Sequence, residues 1–329
     1  MSASPREIVR NNVKEKLARG EVVASMTVRL SRSIEIASIA KTAGFDSIYV
    51  DVEHSSLSLE TTSQICIAAL AIGIAPFVRV PNTRPEHVSR ALDAGALGVI
   101  APHIRSAAAA REVVASAKFP PLGGRSAAGV LPHLEYRSVP AAEANAAMNE
   151  ATMVVVQFET ADAIEKADEI VAVEGVDMVL MGTNDLLADM GLPGQYEHER
   201  VRDAYARTLA ACRRHGKHLG VGGLATRPKA RRRVRENGRA LRLDRHRPRF
   251  PARRGHRARE AGARDRAAMS GEEMNGAMKM DGYEIDVLIQ GFPGRMVCHG
   301  AWAGAPWRSS AATGTSRWWT SAASACERA

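Results

Sequence analysis

Cysteine is scarce in this chain, and what there is of it is scattered. Cys66, Cys212, Cys298 and Cys326 are the only four in 329 residues, and they form no CxxC pair and no Cys/His ligand spacing. That excludes a disulfide framework and a closed structural zinc site. No apolar run approaches the roughly 18 residues of a membrane span. The opening MSASPREIVRNN lacks the charged-then-apolar pattern of a secretory signal. The expectation is a cytoplasmic protein with reduced thiols and no membrane partner. Basic excess is missing from most of the chain as well. The net charge is +9, but residues 227–329 carry 22 Lys and Arg against 10 Asp and Glu, leaving 23 against 26 in residues 1–226. The front of the chain is slightly acidic, and the basicity belongs to the tail.

What is present is a repeated alternation. VVASMTVR (22–29), SIYVDVE (47–53), APFVRV (75–80), GVIAPHI (98–104), TMVVVQFE (152–159), MVLMG (178–182) and HLGVGG (218–223) read as strands buried on both faces. Amphipathic stretches between them read as helices, the first capped by Ser31 or Ser33 and stopped at Gly44. Strand–helix alternation with short connections predicts an α/β fold with a parallel sheet, a (β/α)8 TIM barrel whose eighth unit is missing. The Gly/Pro-rich stretch 119–136 reads as a long loop, expected to approach the active site.

The tail breaks this pattern. Between Arg227 and Arg266 there are 17 basic residues in 40, of which 16 are Arg. One reading is a nucleic-acid arm, but such arms mix Lys with Arg and interleave aromatics, whereas Phe250 is the single aromatic in that stretch. The favoured reading is GC-rich coding DNA read out of frame. Glu236 to Pro248 can be coded so that a shift of one nucleotide spells MGARYVSTGTDL, and extending the exercise gives a strand, a turn and an amphipathic helix. The expected division is therefore a TIM barrel over 1–228, an out-of-frame segment over 229–268, and a fragment over 269–329. In that fragment MKMDGYEIDVLIQGFPGRMVCHG alternates like a strand pair and resembles the start of metallo-β-lactamase-fold proteins. Without an eighth unit the first and seventh strands are expected to keep bare edges, and an inactive remnant is the competing reading.

Polar residues where a barrel strand ends and its loop begins are the usual makings of an active site. Asp51, Glu53, His54, Glu159 and Asp185 all fall at that edge. One acid at a strand end caps a helix or pairs on the surface as often as it works. Glu159 and Asp185, on adjacent strand ends, converge on one point and suit Mg²⁺, Mn²⁺ or Co²⁺ with places left for substrate. Gly182, Thr183 and Asn184 open a helix whose N–H groups would welcome a carboxylate. Histidine ordinarily titrates near neutrality, which makes His54 the natural general base. Arg79, inside a buried strand, needs an anionic partner. Lys41, Lys118 and Lys166 lie on helices or loops, so a Schiff-base route has no lysine at a strand end.

DVEH, FVRVP, ALDAGA, PP-G-R-S, VQFET and VDMVLMGTNDLLADMG together resemble the HpcH/HpaI aldolase/citrate lyase family over residues 5–228. The likeness is strongest to its 2-oxo-acid aldolases acting on 4-hydroxy-2-oxoheptanedioate or 2-dehydro-3-deoxy sugar acids. The resemblance implies a barrel of the phosphoenolpyruvate/pyruvate type and cleavage of a 4-hydroxy-2-oxo acid to pyruvate and an aldehyde. It implies a divalent cation held by Glu159 and Asp185, and His54 as acid/base with Asp51 in support. Arg79 would steady the enolate, Asp93 would raise the basicity of the histidine, and Gln157 and Asn184 would line the pyruvate pocket. It also implies a homo-oligomer, a trimer or hexamer, with no nucleic-acid partner.

Overall fold

The computed structural model describes residues 3–223 and 288–290. Seven parallel strands follow one another around a barrel: β1 (Val22–Val28), β2 (Ser47–Asp51), β3 (Ala75–Arg79), β4 (Gly98–Ala101), β5 (Met153–Phe158), β6 (Met178–Gly182) and β7 (His218–Gly222). Two short helices, α1 (Pro5–Ile8) and α2 (Asn12–Ala18), precede β1. Helices α3 (Glu35–Thr42), α4 (Leu59–Ala71), α5 (Pro85–Asp93), α6 (Ala107–Ala117) and α7 (Ala141–Ala151) lie between β1 and β5. Then come α8 (Ala161–Glu165), α9 (Ala167–Val171), α10 (Thr183–Asp189) and α11 (Glu199–Arg214). Strands β2 to β6 are buried at every position. Their inward side chains fill the barrel and their outward ones lie under helices, which is why the runs are apolar without alternation.

Local chemistry sets the helix starts. The Ser58 hydroxyl accepts from the Thr61 N–H to open α4, Ser106 does the same for α6, and Pro85 occupies the first turn of α5. The expected serine cap on α3 is not formed. Ser31 Oγ accepts from the Ser33 N–H instead, and Ile34 stands at the cap position with no side-chain bond. Asn11 caps α2 and donates to the Ala151 carbonyl at 2.8 Å, fixing α2 beneath the N-terminal ends of the strands.

The eighth place in the ring differs from expectation. Leu288–Gln290 (β8) lies antiparallel between β1 and β7, with Ile289 opposite both Val23 and Gly220. The bare edges expected of β1 and β7 are thus paired over three residues. Two strands that each present unpaired N–H and C=O groups can accept an extended segment in either direction. Residues 229–268, expected from the sequence to be out of frame, and residues 269–329 apart from these three lie outside the described residues.

The loop after α6 is a second correction. Arg125 donates to Asp93 at the end of α5, and His133 Nε2 lies 3.0 Å from the Ala96 carbonyl just before β4. It therefore packs at the N-terminal ends of the strands, opposite the acids of the rim. Among the described residues, no helix is long and apolar enough to cross a membrane.

Candidate active site

Asp51, the last residue of β2, is wholly buried and stands opposite Arg79 in the β2–β3 register. Arg79 grips it with two hydrogen bonds, Nε to Oδ1 at 2.9 Å and Nη2 to Oδ2 at 2.6 Å. Arg29, one residue past β1, adds Nε to Oδ2 at 2.7 Å. Burial pushes the Asp51 carboxyl up, but the Arg79 hydrogen bonds and charge outweigh it and hold the group below its ordinary value. Asp51 Oδ1 also accepts the Glu53 and His54 N–H groups at 3.2 Å each. That Asx-type turn sets the backbone of both residues at the barrel mouth.

From Arg79 the contacts continue across the rim, back to the end of β2 and then on to the ends of β4 and β5. Arg79 Nη1 lies 3.0 Å from Glu53 Oε2. Glu53 Oε1 meets His103 Nε2 at 2.9 Å, and His103 Nδ1 meets Glu159 Oε2 at 2.8 Å. The His103 N–H donates to the same Glu159 oxygen at 2.7 Å, and Gln157 Nε2 donates to Glu159 Oε1 at 2.7 Å. The His54 ring is half-exposed, with Nε2 3.7 Å from Glu53 Oε2. Burial raises the Glu159 carboxyl above its ordinary value against the His103 contacts, and the neighbouring Glu53 and Asp185 charges add to the rise. Asp185 sits exposed in the first turn of α10.

The expected site residues divide in three. Asp51, His54, Arg79, Gln157, Glu159 and Asp185 share the C-terminal rim. Gly182 joins them by lacking a side chain, since a Cβ there would stand 2.7 Å from Glu159 Cγ and 2.9 Å from Gln157 Nε2. Thr183 is present but committed to the fold, its hydroxyl donating to the Gly222 carbonyl and bonded to the Tyr205 hydroxyl, both at 2.6 Å. Asn184 Oδ1 accepts from the Tyr196 hydroxyl at 2.7 Å. Asp93 is not brought to His54. It ends a helix that precedes β4, so it lies at the opposite rim, 2.6 Å from Arg125 Nη2.

His103 stands at the same rim, although no sequence motif singles it out. The run GVIAPHI predicts a strand to residue 104, but β4 stops at Ala101 and His103 turns off the strand with φ +57°. A histidine two residues past an apolar run, as at His54, was the available signal.

The donor set fits a hard divalent cation. Glu159 and Asp185 offer carboxylate oxygens, Gln157 Oε1 is buried without a hydrogen-bond partner, and Gly182 lets the Glu159 and Gln157 side chains lie close against the backbone. Among the described residues, no group of three or more His, Cys, Asp or Glu is arranged to hold a metal ion. The protein share of such a site would be the two carboxylates.

The family model for HpcH/HpaI aldolase/citrate lyase matches residues 25–242, two thirds of the chain. The chain belongs to the HpcH/HpaI aldolase/citrate lyase family. A 4-hydroxy-4-methyl-2-oxoglutarate aldolase of Hapsidospora irregularis is 44% identical over 216 residues, 65% of this chain and 80% of that protein. A 4-hydroxy-2-oxo-heptane-1,7-dioate aldolase of Escherichia coli is 31% identical over 212 residues, 64% of this chain and 80% of that one. The crystal structure of an HpcH/HpaI aldolase from Desulfitobacterium hafniense superimposes with a TM-score of 0.65 at 34% identity, covering 68% of this chain and 86% of that chain. Membership of the HpcH/HpaI family makes the chain a carbon–carbon lyase. Its rim acids stand on the face where barrel enzymes work.

Proposed function

We propose that this protein is a divalent-cation-dependent aldolase that cleaves a 4-hydroxy-2-oxo acid between C3 and C4, releasing pyruvate and an aldehyde. The observation that carries the reading is Glu159, a buried carboxyl raised by its surroundings, beside Asp185 at a rim that also presents Arg79 and His54. The names of the aldolase relatives support the same substrate class. A cation held by Glu159 and Asp185 would supply a Lewis acid for the 2-oxo group as negative charge grows there.

The residues of the chain do the rest. His54, exposed at the mouth, takes the proton from the C4 hydroxyl as the C3–C4 bond breaks, and returns a proton to C3 of the enolate. Arg79 is held by two hydrogen bonds to Asp51 and an ion pair with Glu53, so its charge is fixed in place before the oxyanion develops. Asp51 positions both groups, through its carboxylate on Arg79 and through the His54 N–H. Gln157 holds Glu159 Oε1 and lines the pyruvate side, with Gly182 leaving room and Asn184 bordering it. Asp93 could serve a histidine only in a neighbouring copy, which ties its role to a homo-oligomer. Residues 1–228 form the aldolase domain in this reading and 229–268 are out of frame; the DNA sequence through codons 225–270 tests that division.

Aldol cleavage should be abolished by EDTA and restored by Mn²⁺ or Mg²⁺. Turnover that persists in EDTA, or in the Glu159→Ala/Asp185→Ala double variant, would refute the cation role.

A further inference from the structure

His103 holds a backbone conformation that L side chains seldom adopt, φ +57°. That conformation turns its N–H onto Glu159 Oε2 at 2.7 Å, while its ring Nδ1 reaches the same oxygen at 2.8 Å. An ionised carboxylate has about four lone-pair positions. On Glu159, the His103 N–H bonds Oε2 while the His103 ring lies against that same oxygen, and Gln157 Nε2 takes one position on Oε1. The other ring nitrogen lies on Glu53 Oε1 at 2.9 Å. Two buried carboxylates from β2 and β5 are thereby strapped together by a side chain that is itself 58% exposed. A buried ring would be locked by its packing, whereas an exposed one changes rotamer quickly and displaces nothing.

We propose, resting on the cation site argued above, that the His103 ring and a divalent cation occupy Glu159 Oε2 in turn. The ring lies on the carboxylate as a displaceable strap, and the cation pushes it toward solvent. The His103 N–H stays on Glu159 throughout and keeps the carboxylate aimed. His103 is therefore a positioning residue, acting through Glu159, and it lowers the affinity of the site for its metal. The two carboxylates it spans are released together, which leaves Glu53 to Arg79 and its contact with His54.

The test is Mn²⁺ binding to the full chain, with no substrate, read from the electron paramagnetic resonance of free Mn²⁺. His103→Asn removes the ring, while asparagine still tolerates the left-handed backbone and keeps the N–H. Its Kd for Mn²⁺ should fall about tenfold, the worth of one charge-assisted hydrogen bond no longer in competition. Unchanged or weaker binding would overturn the strap and make His103 a support for the metal instead. Glu159→Gln separates the two claims. If it binds Mn²⁺ as well as the parent, the cation site itself is refuted; if it loses binding while His103→Asn gains none, only the strap is. A second readout uses the unaltered protein labelled with ¹⁵N-histidine. The His103 ring signal, identified by its absence in His103→Asn or His103→Gly, should move on adding Mg²⁺, and a stationary signal would refute the displacement.

Discussion

At the N-terminal ends of the strands, charge is spent on holding strands in place; at the C-terminal ends it is left in tension. Asp46, just before β2, accepts the Ala24 N–H of β1 at 2.8 Å and pairs with Lys16 of α2 at 2.6 Å. Asp177, just before β6, repeats the device: it accepts the Val154 N–H of β5 at 2.9 Å and pairs with Lys14 at 3.1 Å. Lys118 is almost wholly buried and donates to the Asn149 and Thr152 carbonyls at 2.8 and 2.5 Å. Asp46 and Asp177 each have a cation and a backbone donor of their own. At the C-terminal rim Asp51 and Glu53 are met by Arg29 and Arg79, but Glu159 lies buried near the Glu53 and Asp185 charges, and burial opposes its ionisation. In the proposed reading, a carboxylate that is to receive a metal cation cannot carry a fixed arginine or lysine on the same oxygens.

The comparison breaks most visibly at His54. His54→Ala should lower kcat by about 10²–10⁴-fold, the usual worth of a general base, with little change in the urea midpoint, because the ring is half-exposed. Exchange of the C3 protons of pyruvate in deuterated water reports the step without any aldehyde. Exchange at the parent rate would remove His54 from the role.

The opposite rim should show the converse. Lys118→Met leaves two carbonyls and a share of Asp177 without a partner in a buried setting, at a cost of about 2–4 kcal/mol. Activity per folded molecule should hold. A variant as stable as the parent by urea denaturation, or one folded but inactive, would contradict the division of labour.

A pH test sharpens the contrast further. Burial lowers the His133 imidazole to about 4. Its folded value is depressed below the ordinary one near 6.5, so the unfolded chain binds the extra proton first as pH falls. The contribution is fully present above about pH 6.5 and is lost down to about pH 4, on the order of a few kcal/mol. His133→Gln, able to donate to the same Ala96 carbonyl, should flatten the stability profile between pH 6.5 and 4. An equally steep profile would assign that acid sensitivity to other groups.

The seven strands were legible because each is an apolar run that needs no partner to be recognised. His54, Glu159 and Asp185 were legible because a strand end is a local feature. His103 was lost to two residues of boundary, since the β-region run GVIA continues into Pro102 with no change of polarity. The end of the barrel at which Asp93 and the loop at 119–136 stand was not legible, for a deeper reason. Motif spacing says that residues belong together but not at which end of a barrel, and a helix that precedes a strand ends at the far rim. The commitment of Thr183 to Tyr205 and Gly222 depends on residues 22 and 39 positions away, a distance over which composition carries no register. The pairing of Leu288–Gln290 between β1 and β7 was likewise invisible, because any short extended segment can fill such a gap.

The smallest effect is the most discriminating. Glu159→Gln should abolish metal-dependent turnover yet raise stability at pH 7 by about 1 kcal/mol. Glu159 is raised by burial and by the Glu53 and Asp185 charges, so its ionised form weakens the fold above its ordinary titration range. The sign follows from linkage: a raised carboxyl contributes stability while protonated at low pH and loses it as pH rises through the folded value. A neutral amide escapes that loss. The local hydrogen bonds survive the change, because the new carbonyl oxygen can accept from the His103 N–H and ring. The new amide nitrogen can meet Gln157 Oε1, which has no partner now, once the Gln157 amide flips. Urea midpoints of the pair should therefore diverge at pH 7 and converge below about pH 4.5. A variant less stable than the parent at pH 7 would mean that Glu159 is held for the fold, and the contrast between the two rims would fail at its central residue.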